Sequence, residues 1–136
     1  MPTKYSLKYA LLGFALAGMT FGFLSYLPEL LAYTILAILL ASASGVYLRY
    51  AFIRREATLV TVEMIFMILF GVLAVVGVAV SPMFLALGFL LHGFWDMAHH
   101  PRYIRTSGPA WYQPMCLAFD WGVAAVITLQ VLGAKS

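Results

Sequence analysis

Charge is scarce in this chain. Eight Lys and Arg and five Asp and Glu among 136 residues make 10% charged side chains, where soluble domains carry roughly a quarter. Apolar residues make up 64% and the mean hydropathy is +0.97, which excludes an ordinary soluble domain and makes an integral membrane protein the expectation. Cysteine is reduced to Cys116 alone, so no intramolecular disulfide forms, in keeping with a reducing compartment. The sequence has no internal repeat and no low-complexity stretch. It also lacks a small-x-small cleavage site after its first apolar run, which therefore reads as a retained span and not as a signal peptide. At this length the chain holds one domain, residues 1–136, with no room for a separate soluble unit. A nucleic-acid partner is not expected.

What is present is apolar and regularly punctuated. Polar breaks leave five apolar segments at about 9–26, 30–47, 60–80, 83–99 and 115–132, each near the ~20 residues that cross ~30 Å of hydrocarbon. The predicted fold is all-α, a polytopic bundle of five transmembrane helices. Pro28 followed by Glu29 suits a first helical turn, and Ser81-Pro82 reads as an N-cap with proline at the first helical position. Pro101 and Pro114 bracket the one long loop, 101–114, a candidate lid. Five spans put Lys4, Lys8, Arg49, Arg54, Arg55, Arg102 and Arg105 on one side and Lys135 on the other. The positive-inside rule then places the N-terminus in the cytoplasm and the C-terminus outside, as in the inner membrane of a bacterium. Tyr47, Tyr50, Trp111 and Tyr112 stand where an interfacial aromatic belt belongs. Small residues recur every fourth position at Ala37, Ala41 and Gly45 and at Gly18 and Gly22, so close helix packing is expected there.

All three histidines fall in nine residues, His92-Gly-Phe-Trp95-Asp96-Met-Ala-His99-His100. His92, Asp96, His99 and His100 lie at i, i+4, i+7 and i+8, one face of a helix. Ionisable groups at such depth cost several kcal/mol unless partnered, about 3 kcal/mol each on insertion scales, and mark function by default. By ~1.5 Å per residue, Glu63 lies about 5–8 Å inside the third segment, Asp120 about 9 Å past Pro114, and Asp96 about 6 Å from the end of the fourth. These acids and His92 thus occupy one layer of the cytoplasmic half. Imidazole and carboxylate together are ligands for first-row transition metals, and i, i+4 is a chelating spacing. His92 and His99 are about 10.5 Å apart along the axis, so the fourth helix alone cannot complete a His/Asp/His site. Asp120 and Glu63 are the acids at the right depth. Either one ion is held by Asp96, His99 or His100, and Asp120, or a second is completed by His92 and Glu63. The ion would be Zn, Fe, Mn or Cu, with Met64, Met67, Met115 and Cys116 nearby as softer donors.

Plainer roles compete for the same residues. His99 and His100 would ease the negative end of the fourth helix, and Glu63 would face Arg54 or Arg55. Asp120 would bond His92 in a purely structural pair. Met64, Met67 and Cys116 would pack, and Trp95 would pack or sit in the belt. Accepting all of these at once leaves Asp96 and His92 buried without a reason.

The pattern His-x-x-Trp-Asp-x-x-His-His, carried by His92, Trp95, Asp96, His99 and His100, and the following Cys-x-x-x-Asp of Cys116 and Asp120, resemble a family of small multi-pass membrane proteins of uncharacterised activity. The resemblance implies that Cys116 and Asp120 belong with the histidine cluster. Three function classes follow. The first is a membrane metalloprotein, an oxidoreductase or hydrolase acting on a lipid-soluble substrate, with Asp120 or Glu63 as general base or as a group orienting a ligand. The second is a proton or ion relay through His92, Asp96 and Asp120, weakened by the few polar groups in the other half. The third is a structural subunit whose polar layer clasps helices within the chain, in a homo-oligomer, or against a membrane partner.

Overall fold

The punctuation in the sequence is where helices start and stop. A computed structural model describes residues 4–99 and 111–134 and contains α1 (Lys4–Leu24), α2 (Glu29–Arg54), α3 (Ala57–Ala79), α4 (Pro82–Ala98) and α5 (Tyr112–Ala134). Ser81 caps α4, its hydroxyl oxygen accepting from the Met83 N–H at 3.3 Å, and Pro82 takes the first helical position. Glu29 occupies the first turn of α2 after Pro28. Several helices outrun the apolar segments. α2 continues to Arg54 and is closed by Arg55 in the left-handed region (φ 58°), its N–H donating to the Phe52 carbonyl at 3.1 Å. α5 begins at Tyr112, ahead of Pro114. Pro114 sits in a first turn, where its missing N–H is no loss. His100 and residues 101–110 lie outside the described residues, and with them the role expected of His100.

Four of these helices are long and apolar enough to cross a membrane, while α4 has 17 residues. The outer surface supports the same class. Leu11, Phe14, Ile65, Ile68, Val75 and Leu129 are exposed, an arrangement suited to contact with lipid.

Contacts fix the register. Leu40 packs at Gly88 and Tyr47 bonds Asp96, so α2 and α4 run parallel. Leu85 lies on Gly77 and Glu63 meets His99, so α3 runs antiparallel to α4. α5 packs on α4 and α1, with Gly13 against Met115 and Ala17 against Gly122. α4 thus stands in the middle of α2, α3 and α5. It is the helix that carries His92, Asp96 and His99. One end of the bundle holds the described lysines and arginines, and toward the other lies an apolar layer that includes Leu36, Leu40, Leu85, Phe89 and Ile127.

The close approaches are not made by the glycines singled out in the sequence, although Ala37 is part of the buried core. Nothing lies within 4 Å of a side chain added at Gly18 or Gly22, and Gly45 meets only Met67 Sδ at 4.0 Å. Gly77 does bring backbones together: a methyl group there would sit 2.7–2.9 Å from Leu85 Cβ and backbone atoms. At Gly93 a methyl group would collide with the Trp121 indole, which donates to the Leu90 carbonyl at 3.2 Å. Spacing alone cannot tell which face of a helix meets a neighbour and which meets lipid. Gly77→Ala should therefore destabilise the bundle by about 1–3 kcal/mol through overpacking. Gly18→Ala should be close to neutral, and thermal unfolding in detergent compares the two.

Candidate metal centre

Spacing on α4 puts His92 and Asp96 one turn apart, and α5 brings Asp120 against them. All three side chains are buried, His92 and Asp96 with no exposed surface. His92 Nδ1 lies 2.5 Å from Asp120 Oδ2 and 3.5 Å from Asp96 Oδ2. The nearest donor atoms of the three residues all fall within 4.8 Å of one another. The other oxygen of Asp96 accepts a 2.7 Å hydrogen bond from the Tyr47 hydroxyl. Two atoms of the group, His92 Nε2 and Asp96 Oδ2, are buried without a hydrogen-bond partner among the described residues. Each such orphan costs about 1–3 kcal/mol unless something fills the position.

The Asp120 carboxylate sets the state of His92. When Asp120 is ionised it only accepts, so Nδ1 carries the hydrogen, and in the neutral form of the ring Nε2 presents a lone pair. An imidazole whose one nitrogen donates to a carboxylate is the usual form of an oriented metal ligand. At 2.5 Å, Nδ1 and Asp120 Oδ2 share a proton and are too close to hold one ion between them without separating, because ligands about 2.0–2.2 Å from a common ion stand further apart.

Glu63 and His99 form a second polar group beside the first. Both are buried. His99 Nδ1 donates to the Trp95 carbonyl at 2.7 Å, and Nε2 faces Glu63 Oε1 in a short contact. The Trp95 indole N–H donates to the other Glu63 oxygen at 3.1 Å. A carbonyl accepts only, so Nδ1 bears hydrogen, and a single further proton must lie between Nε2 and the carboxylate. Both ring nitrogens are thereby engaged. The Tyr47 ring stacks on His99 with centroids 3.7 Å apart, while its hydroxyl reaches Asp96. Tyr47 thus touches both groups.

The structure thus divides the sequence candidates. It gathers His92, Asp96 and Asp120 into a trio, sets Glu63 with His99 beside it, and leaves His100 outside the described residues. Glu63 does not face Arg54, which pairs with Glu56 at 2.7 Å. Among the softer donors, Met64 is exposed, and Cys116, half-buried one turn before Asp120, is near enough to feel the charges of Asp96 and Asp120 but is not one of the three gathered donor residues. Tyr47 and Trp95 were missed as polar partners because aromatic residues near a helix end resemble belt residues. The signal for Tyr47 was its place in the buried stripe Leu36, Leu40, Ser44, Tyr47, Ala51. For Trp95 it was the three-residue offset from His92 combined with an indole N–H that needs an acceptor when buried.

Charge does not balance within these groups. The buried ionisable side chains are Glu63, Asp96, Asp120, His92 and His99, with no buried Lys or Arg among the described residues. With both imidazoles protonated, three carboxylates still leave one negative charge. A bound cation or an added proton has to supply the difference, because an unpaired charge in such a medium costs several kcal/mol. The Glu63–His99 contact should behave as a coupled pair. A double-mutant cycle with Glu63→Gln and His99→Gln should give a coupling above the ~0.6 kcal/mol average for polar contacts between membrane helices. Additive losses in that cycle would mean the contact is incidental.

No curated protein and no solved structure matches the chain. A family model does, over residues 9–134, that described as "Family of unknown function (DUF6010)". The match takes in both polar groups and nearly all of every helix, and the chain belongs to that family.

Proposed function

We propose that this is an integral membrane metalloprotein whose ion is held by His92, Asp96 and Asp120. The observation that carries the reading is the trio itself: one imidazole and two carboxylates from two helices, buried, with His92 Nε2 and Asp96 Oδ2 lacking a hydrogen-bond partner among the described residues. A nitrogen and oxygen donor set without gathered sulfur suits Zn, Fe or Mn better than copper(I). The bound ion would supply Lewis-acid or redox chemistry. Tyr47 holds Asp96 by its hydroxyl, and Asp120, which shares a proton with His92 across 2.5 Å in the ion-free arrangement and would draw away from it to bind an ion, is the candidate general base. Glu63 acts at one remove, by fixing the His99 ring on which Tyr47 stacks. Its substrate would be lipid-soluble, entering near Tyr112 and Cys116, the half-buried residues on the Asp120 side of α5.

In this reading α4 is a fifth span, ~26 Å long at ~1.5 Å per residue, and the basic end of the bundle faces the cytoplasm of a bacterial cell. The site then lies in the inner-leaflet half.

A structural clasp is the second reading, favoured by the direct His92–Asp120 hydrogen bond, which needs no ion to form. The relay is less favoured, because among the described residues the core beyond His92 is formed by Phe70, Phe89, Leu85 and Ile127. Elemental analysis of protein purified without chelator tests the proposal. About one equivalent of Zn, Fe or Mn per chain is expected on the site logic of transition-metal ligands. It should be lost in Asp96→Asn and in Asp120→Asn, and retained in Glu63→Gln. Metal-free protein that folds equally well with and without added ion would favour the clasp.

A further inference from the structure

Away from the polar cluster, at the opposite end of the bundle, a cavity of about 490 Å³ opens between α1, α2, α4 and α5. Its cause is helix length. α4 has 17 residues against 26 in α2, about 26 Å against about 39 Å. With its C-terminal end committed to the trio, α4 begins at Pro82 below the rim and leaves a cup above it.

The walls of the cup are apolar, including Phe21, Leu24, Leu27, Leu36 and Val131. Polar groups gather among its remaining lining residues: Glu29, Tyr33, Gln130 and Ser25. Ser25 turns its hydroxyl back to the Gly22 carbonyl at 2.7 Å. Glu29 is a carboxylate in the first turn of α2, and no ion pair engages it among the described residues. The described Lys and Arg, at positions 4, 8, 49, 54 and 55, all belong to the other end. Among the described residues, the cup therefore pairs an apolar interior with a carboxylate that no Lys or Arg answers; Lys135 lies outside those residues.

We infer that this cup is a binding site for a single-chain cationic amphiphile, an alkylammonium whose chain lies against Leu24, Leu36 and Val131 and whose head meets Glu29 and the Tyr33 ring. The volume falls in the ~300–1,000 Å³ range of small-molecule sites, with mostly apolar lining and a few polar groups that fix orientation. An ammonium gains from a carboxylate and from an aromatic face together. An anionic phosphate head would be repelled by Glu29. A neutral chain would make no use of it. The inference is independent of the metal reading, because the apolar layer of Leu40, Leu85 and Phe89 separates the two places.

The test is calorimetric titration of the full chain in zwitterionic nanodiscs with octyltrimethylammonium, octyl glucoside and octyl sulfate, each below its micellar concentration. The expected result is saturable binding of the ammonium alone. Glu29→Gln should weaken it about three- to fivefold, the scale of one partly exposed charge and ring contact, and Ala32→Trp, which fills the cup, should abolish it. Thermal unfolding verifies that both variants are folded. Equal binding of octyl glucoside would reduce the cup to an apolar groove. Binding of octyl sulfate as well would mean unspecific partitioning, and an unchanged affinity in Glu29→Gln would remove the charge from the argument. Absence of saturable binding by any probe overturns the inference.

Discussion

Three carboxylates and two imidazoles share the dry interior of the bundle, and the excess of acid over base in that space is the constraint on which the rest of the site depends. Water would dissipate such an imbalance at an exposed surface, where ion pairs are worth about 1 kcal/mol or less. Between helices it has to be met by a proton or by a cation. The geometry meets part of it. Glu63 is answered by His99 and the Trp95 indole, Asp120 by His92, and one oxygen of Asp96 by the Tyr47 hydroxyl. The second oxygen of Asp96 and the far nitrogen of His92 are left over, and they are the atoms at which a further positive charge is needed.

The helix arrangement serves that layer. α4 carries most of the polar side chains, and it is packed by α2, α3 and α5, each of which contributes one polar group toward it: Tyr47, Glu63 and Asp120. Gly77 and Gly93 let α3 and α5 approach α4 closely on two sides. On the other side of His92 the core turns wholly apolar, with Phe70 set edge-on to the His92 ring at 4.8 Å between centroids. The polar layer is closed in one direction and approached by half-buried residues of α5 in the other.

Much of this was legible in the residues. The apolar segments, the Ser81-Pro82 start and the i, i+4 face of His92 and Asp96 all follow from periodicity and capping chemistry, which are local. That Glu63 and Asp120 stand level with the histidines of α4 followed from counting residues from the nearest break, since each helical residue adds about 1.5 Å of height. What local information could not supply was rotation about each helix axis. It decides that His99 turns to Glu63 and not to the trio, that Met64 faces out, and that Gly18 and Gly22 meet no neighbour while Gly77 and Gly93 do. The helical moment of such segments is weak because lipid and core are both apolar. Tyr47 shows the limit clearly: its height marked it as a belt residue, and only its rotation brings it to Asp96 and His99.

X-ray absorption at the metal edge, on protein kept in native membranes, tests the central claim most directly. The account predicts a first shell of nitrogen and oxygen only, with the outer scattering of a single imidazole. A sulfur shell, scattering from two or more imidazoles, or no metal edge above background would contradict it.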